Sequence, residues 1–442
     1  MSKRSYTKGT LLVITLAAII GWMHDGYSLV LISTLATRIK EYFNVGDAAI
    51  GLVISLQFVF TVPGAILFGE LGDRFGRKKA LIISIAWDAV FSACTAFVPK
   101  GEFLLFAILR MCSGLGVSWG ISFSLISEYF SSKRRGAAGG LVHSTFVLGY
   151  ISAIIITMLL GPLGWQVCFL TALFPIPFLI LFWFALPESE VWSEFDKISK
   201  EKQVKQKLRV RELFSRKWLK LTLLLIVLFW FAETAYHTLV DFAPVFFEYL
   251  FTYNGLTGDA AKNAALNIML VYMIIAAFVL FFFGFLSDYI GRKKAFFIDN
   301  LFGVVGGFLL LMFLFPFFND SMIFISAGLI TAGFGLHGIF GVWSSELYDT
   351  ELRASANSII FSVARGLGFG GFLTGLISDI LNPYSTTAER LLHPLISLQA
   401  LGTGMLISLI AFIGVLVVAK FVPEPKDKII TPESKGPQLL ET

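Results

Sequence analysis

The chain is 442 residues long, 56% hydrophobic and 15% charged, with 46 phenylalanines and a mean hydropathy of +0.78. Soluble domains run nearer about 45–50% apolar and about 25% charged, so water-soluble globular domains are a poor reading and a lipid bilayer is the expected solvent. The net charge of +5 is small, and where the charges fall matters more than their sum.

The amino terminus is a short basic leader (Lys3, Arg4, Lys8) that runs into a long apolar stretch without a small-residue cleavage site. It reads as a retained first helix, not a cleaved signal. Crossing a bilayer core takes about 20 apolar residues in a helix. Twelve such runs follow, taken as helices 1 to 12. The first six are 11–33, 48–70, 79–98, 103–126, 137–160 and 165–186. The second six are 219–247, 264–286, 295–317, 321–342, 355–379 and 394–420. Turn and charge signals such as "FVPKGE", "GPLGW" and "FFNDS" separate them. The polar stretch 187–218 splits the chain into an N-terminal half (1–186) and a C-terminal half with a short tail (219–442). That linker reads as a solvated, partly helical connector. The expected fold class is an all-α membrane protein of two six-helix, pseudo-repeated bundles. Cys94, Cys112 and Cys168 all lie in apolar runs, which argues against a disulfide framework or a metal site.

Lysine and arginine set the orientation. The leader, the 2–3 turn (Arg74, Arg77, Lys78, Lys79), the 4–5 turn (Lys133, Arg134, Arg135), the linker and the 8–9 turn (Arg292, Lys293, Lys294) share one side. The alternate turns carry only Arg38, Lys40, Lys100, Lys262 and Arg390. Both termini are therefore expected in the cytoplasm.

Residues 69–79, "GELGDRFGRKK", and 284–294, "GFLSDYIGRKK", match as G-x-x-x-D-x-x-G-R-K-K, 215 positions apart and close to half the chain. "SEYFSSKRRG" and "SELYDTELRA" repeat likewise after helices 4 and 10, aligning Glu128 with Glu346 and Arg135 with Arg353. "LPES" (186–189) and "VPEP" (422–425) follow helices 6 and 12. This doubled set resembles the major facilitator superfamily, whose 2–3 turn reads G-x-x-x-D-R-x-G-R-[RK], in its sugar-porter and metabolite–proton symporter branches. The first copy fits throughout, and the second has Tyr289 in place of the first arginine. The resemblance implies a cytoplasmic gate built from Asp73, Arg74, Arg77, Glu128, Arg135, Glu188, Asp288, Arg292, Glu346 and Arg353. Its ion pairs are expected to latch the two halves on one side only.

Ionisable groups inside spans are costly and usually functional. Asp25 lies roughly 21 Å up a ~30 Å core, and Arg110 roughly 10 Å below the opposite face, so the two share a depth. In the related symporters an aspartate of helix 1 and an arginine of helix 4 couple transport to protons, and "RMCSGLGVSWG" (110–120) resembles the helix-4 pattern. An Asp25–Arg110 pair is the expected proton switch. His24, beside it, reads as a packing histidine. Arg365 in helix 11 is an arginine in need of an anion, either a substrate carboxylate or Glu233 or Asp241 of helix 7. His143 occupies the slot where sugar porters carry a glutamine, and "FAETAYHTLVDFAP" lacks their helix-7 Q-Q-x-x-G. The expected lining is His143, Glu233, Tyr236, His237 and Arg365, with Trp119, Trp230 and Trp343 as apolar walls. "HDGYS" resembles the D-G-[FY]-D of aromatic-acid–proton symporters, with Ser28 in place of the second aspartate. Asp88, Asp299, His337 and Asp379 read as structural.

No catalytic constellation, P-loop, metal spacing or nucleic-acid patch stands out, so no enzyme and no cofactor is expected. The reading is a proton-coupled symporter of a small organic acid, embedded in the lipid bilayer of the cell and working as a monomer. Alternatives are a sugar or polyol symporter, a drug–proton antiporter and a non-transporting nutrient sensor. The antiporter loses ground because helix 5 lacks a G-P-x-x-G-G stretch, and the sensor because the tail is short.

Overall fold

The computed structural model describes residues 8–122, 132–189, 192–193, 210–312, 319–348 and 352–424. Backbone polar groups in hydrocarbon must be satisfied within their own segment, which only a helix does for a single strand of chain. Among the described residues there is accordingly no β-strand, and twelve helices are long and apolar enough to span a bilayer. Helices 1 to 6 are Gly9–Thr34, Asp47–Gly72, Arg77–Phe97, Phe103–Ser122, Ser144–Leu163 and Trp165–Ala185. Helices 7 to 12 are Leu219–Tyr253, Gly258–Ile290, Arg292–Leu311, Asp320–Gly341, Ile359–Leu381 and Pro394–Ala419. Each overlaps one expected run. Helix 8 starts six residues earlier than its apolar run because "GDAAKN" is polar yet helical, with Asp259 favourably placed in the first turn.

The halves meet where helix 2 packs on helix 11 and helix 5 on helix 8. Small residues let those backbones close up. A Cβ on Gly51 would sit 2.6 Å from the Gly371 carbonyl oxygen, and one on Gly375 would sit 2.5 Å from that of Asp47.

Helices 4, 7, 10 and 11 are interrupted at 116–118, 241–242, 333–335 and 367–369. Each break frees backbone groups, and side chains from other helices or other turns take them up. The Ser118 N–H donates to Asp25 (2.8 Å) and the Leu336 N–H to Asp299 (2.7 Å). Tyr150 donates to the Val240 carbonyl (3.0 Å) and Trp230 Nε1 to that of Leu367 (2.7 Å).

The repeated turns explain their second glycine. Gly76 and Gly291 adopt φ of +105° and +92°, which side chains on Cβ disfavour. Behind each lies a glutamate from the motif that closes its own half. Glu188 accepts from the Lys78 N–H (3.2 Å), and Glu424 from those of Arg292 (2.7 Å) and Lys293 (2.8 Å). Anions thus cap the first turns of helices 3 and 9, where the helix dipole favours them. The open space around Gly69 gives the first motif glycine no comparable reason.

Candidate functional site

The seam between the halves holds the central cluster. Arg365, four residues past Phe361 on helix 11, is 4% exposed. Its guanidinium carbon lies 4.5 Å from the ring of Phe58, 4.7 Å from Phe146, 5.5 Å from Phe361 and 5.9 Å from Trp22. Three of those rings come from the N-terminal half. The nearest carboxylate oxygen, Glu233 Oε2, is 4.0 Å from Nε, and among the described residues no hydrogen bond reaches that nitrogen.

Helix 7 supplies the other polar wall at helical spacing. Glu233 and His237 are one turn apart, with Nε2 3.5 Å from Oε2, and His237 Nδ1 lies 3.2 Å from Asp241. His337, beside the break in helix 10, places Nε2 3.3 Å from Glu233 Oε1. Tyr236 packs its ring against both histidines, and Phe58 packs on His237 at 4.3 Å. Glu233, Tyr236, His237 and Arg365 therefore converge as expected, and His337, expected to be structural, joins them. The side chain of His143 lies outside the described ones. Trp119 stacks on Phe361 at 4.4 Å and reaches the same seam. Trp343 does not: it packs on Phe296 and donates to the Pro423 carbonyl at the motif end of the bundle.

The expected Asp25–Arg110 pair is not formed. Asp25 Oδ2 accepts from the backbone and the hydroxyl of Ser118 (2.8 and 3.0 Å), because the break in helix 4 leaves that N–H unclaimed. Arg110 turns instead toward helix 3. It donates to Ser92 Oγ (3.0 Å) and the Ser28 carbonyl (2.7 Å) and lies over the Phe169 ring. Behind it sits Asp88, whose Oδ1 accepts from Ser28 (2.8 Å), Ser92 (3.0 Å) and Ser113 (2.8 Å). His24 Nε2 is 3.4 Å from the other oxygen. His24 and Asp88 are thus part of a built polar cluster that the sequence reading had treated as packing. A serine one helical turn from each charged residue (Ser113 from Arg110, Ser92 from Asp88, Ser28 from His24) was the signal that could have revealed it.

At the motif end, the second copy's charges stay within one half. Arg292 makes a two-pronged contact with Glu346 (3.1 and 3.0 Å) and also pairs with Asp288. For Arg292 and Glu346 the pairing is therefore within the C-terminal half: the short 8–9 turn sets Arg292 beside the end of helix 10, its neighbour in the same bundle. Among the described residues, Arg74 reaches Glu70 at 3.8 Å. Arg77 and Glu188 lie at the turn that Glu188 caps. Glu128 lies outside the described residues, and the side chains of Asp73, Arg135 and Arg353 lie outside the described side chains.

Ion pairs that join the halves occupy the opposite end. Asp47, wholly buried at the start of helix 2, is held by Lys40 (2.6 Å), Arg390 (2.7 Å) and Ser378 (2.9 Å). Asp379 of helix 11 accepts from the Asp47 and Ala48 N–H groups and pairs with Arg390 at 2.8 Å. Arg38–Asp259 (2.5 Å), Lys262–Glu41 (3.4 Å) and Thr37–Glu248 (2.5 Å) add further cross-links. A small cleft beside Arg38 and Glu248 belongs to this seam, and none of the central aromatics lines it. Burial works against the Lys40 ammonium, yet Asp47 and Tyr249 hold it above the ordinary lysine range. Asp47 and Asp379 likewise outweigh burial at Arg390. In the sequence, Arg38, Lys40, Lys262 and Arg390 stand out only as sparse charges of the less basic turns, and Asp379 reads as structural.

Two six-helix bundles with broken helices around a polar seam are the architecture of a membrane transporter, not an enzyme. The chain matches the Major Facilitator Superfamily over residues 11–375 and belongs to that family. It is 27% identical to the cis,cis-muconate transport protein of Acinetobacter baylyi, covering 79% of this chain and 83% of that one. It is 25% identical to a protein of Cupriavidus pinatubonensis named "Probable 4-methylmuconolactone transporter", covering 81% and 82%. A crystal structure of a D-xylose–proton symporter superposes with a TM-score of 0.72 at 20% identity, covering 95% of this chain and 99% of that one. That likeness speaks to the fold.

Proposed function

We propose that this transporter carries a small carboxylate with a flat, unsaturated body together with a proton. It works by alternating access in the cell membrane, as a single chain with both termini on the cytoplasmic side. The observation that carries this reading is Arg365, a buried guanidinium at the seam, walled by four aromatic rings and 4.0 Å from its nearest carboxylate. A guanidinium in low dielectric binds a carboxylate by paired hydrogen bonds, and rings beside it stack on a planar body. Relatives named for muconate and 4-methylmuconolactone transport support that choice. Glu233, His237 and His337 then offer polar contacts to the rest of the substrate.

Asp25 carries the proton in this scheme. The motif-end residues, with Glu188, Glu346 and Arg292 foremost, stiffen each half so that it moves as one body. The Lys40–Asp47–Arg390–Asp379 network closes the outer side and must part before substrate enters from outside.

The test uses the protein in liposomes with a pH dye trapped inside, compared with protein-free liposomes. Muconate, aromatic monocarboxylates and hexoses are added one at a time. Acids are expected to acidify the lumen in the wild type but not in Asp25→Asn, which should retain counterflow of labelled against unlabelled acid. Acidification driven by hexoses and not by acids would overturn the carboxylate assignment.

A further inference from the structure

Apart from Asp47 at the opposite end of helix 2 from the repeated turn, the described residues of the N-terminal half bury two carboxylates, Asp25 and Asp88, and one guanidinium, Arg110. That guanidinium is already committed. Through Ser92 and Ser28 it is tied to Asp88, where three hydroxyls converge on a single oxygen. Asp25, one turn away on helix 1, holds only the N–H and hydroxyl of Ser118, and its Oδ1 has no partner among the described residues.

The next cation available to Asp25 lies across the seam. Trp22, three residues earlier on the same face of helix 1, lies 5.9 Å from the Arg365 guanidinium. Trp119, adjacent to Ser118, packs on Trp22 at 4.7 Å and on Phe361 at 4.4 Å, one helical turn before Arg365. These indoles and rings join the two sites through apolar material, where a charge acts over a longer distance than in water. The charged groups that act on Asp25 are Asp88 on helix 3 and Arg365 on helix 11, while His24 on its own helix and Arg110 on helix 4 face Asp88.

We propose that Asp88 is the fixed counter-charge of Arg110, and that Asp25 shares Arg365 with the substrate carboxylate, so that binding of the anion draws a proton onto Asp25. The inference rests on the carboxylate–proton symport proposed for this site. When the substrate's carboxylate pairs with Arg365, the positive field that favours ionised Asp25 is cancelled. Asp25 then takes a proton from water on the open side, forming one O–H bond. One anion and one proton have entered, so the charge of the site is unchanged, and both leave together on the other side. Asp88 acts as a positioning residue: it keeps Arg110 from supplying Asp25 with a second cation that would hold it ionised regardless of substrate.

The test needs no ligand. Infrared difference spectra of the full-length protein in lipid are recorded as pH is varied, and the protonated-carboxyl band that disappears in Asp25→Asn is assigned to Asp25. Arg365→Gln is expected to move its midpoint up by at least one pH unit, a tenfold change in proton affinity. Asp88→Asn is expected to move it down by at least as much, because a nearby negative charge is lost and Arg110 is released toward Asp25; Asp88→Glu should restore it, and Ser92→Ala, which keeps the Asp88 charge, isolates the part due to Arg110. Should Asp88→Asn fail to fold, Ser92→Ala, which removes a hydroxyl linking Arg110 to Asp88, must shift the midpoint in the same direction. An unmoved midpoint in Arg365→Gln overturns the proposal. So does a titrating band that survives Asp25→Asn and vanishes in Asp88→Asn. If the midpoints move as expected while no acid acidifies liposomes, the substrate assignment fails and the charge arrangement stands.

Discussion

Replacing Asp47 by asparagine removes the anion on which the network proposed to close the outer side turns. Asp47 is wholly buried and sits between two cations, Lys40 at 2.6 Å and Arg390 at 2.7 Å. After the change, Arg390 keeps Asp379, whereas Lys40 loses its carboxylate and keeps the Tyr249 hydroxyl at 3.4 Å. Breaking a buried pair by removing one partner costs about 3–5 kcal/mol, because the other charge is left desolvated. Opening the seam lets Lys40 and Arg390 rehydrate, so most of that cost falls on the closed form only. A differential of about 2–3 kcal/mol multiplies the outward-open population roughly 30- to 150-fold. The readout is a single cysteine at Ile54, buried on the same face of helix 2 two turns beyond Asp47, in a protein whose Cys94, Cys112 and Cys168 are serines. A membrane-impermeant maleimide added outside should label it faster in Asp47→Asn by that factor. Asp47→Asn/Arg390→Gln, which removes the excess cation, should recover part of the protection. Equal labelling of wild type and Asp47→Asn would refute the reasoning, since the network would then contribute nothing to closure.

Three further outcomes follow from the same geometry. Lys40 is held above the ordinary lysine value of 10.5, so its contribution to closure is full below that value and is lost only as pH rises through the higher one. Ile54→Cys labelling in the otherwise unaltered network should therefore be flat from about pH 5 to pH 9, once corrected for the reactivity of the thiol itself; a step near neutrality would count against a lysine-based lock. Gly76→Ala puts a methyl 2.0 Å from Glu188 Oε2 at a φ of +105°, and should cost about 1–3 kcal/mol, read as a lower melting temperature in detergent. An unchanged melting temperature would mean that the turn relaxes freely. Arg365→Lys keeps a positive charge but loses the planar fork, and KM for a transported acid should rise about tenfold or more; an unaltered KM would place the carboxylate elsewhere.

The number of helices, the two halves and the repeated turns were legible in the sequence because lipid imposes a one-dimensional rule. A segment either hides its backbone in a helix of about twenty apolar residues or it does not cross. The convergence of Glu233, His237 and Arg365 was legible for a related reason: ionisable residues in such segments are rare enough to single out. Partners were a different matter. Asp25 and Arg110 agree in depth, yet the break at 116–118 handed Asp25 a backbone N–H, and three serines handed Arg110 to Asp88. Likewise Arg292 and Glu346 were visible as a repeated pair, but only packing decided that they brace one half instead of joining two. The outer network was least visible, because Lys40, Asp47, Asp379 and Arg390 become a buried unit only when helices 2 and 11 close on each other. Hydrophobic pattern reports how deep a residue sits, whereas rotation about the helix axis and the position of helix breaks choose the atom it meets. Those are set by the contacts between segments far apart in the chain.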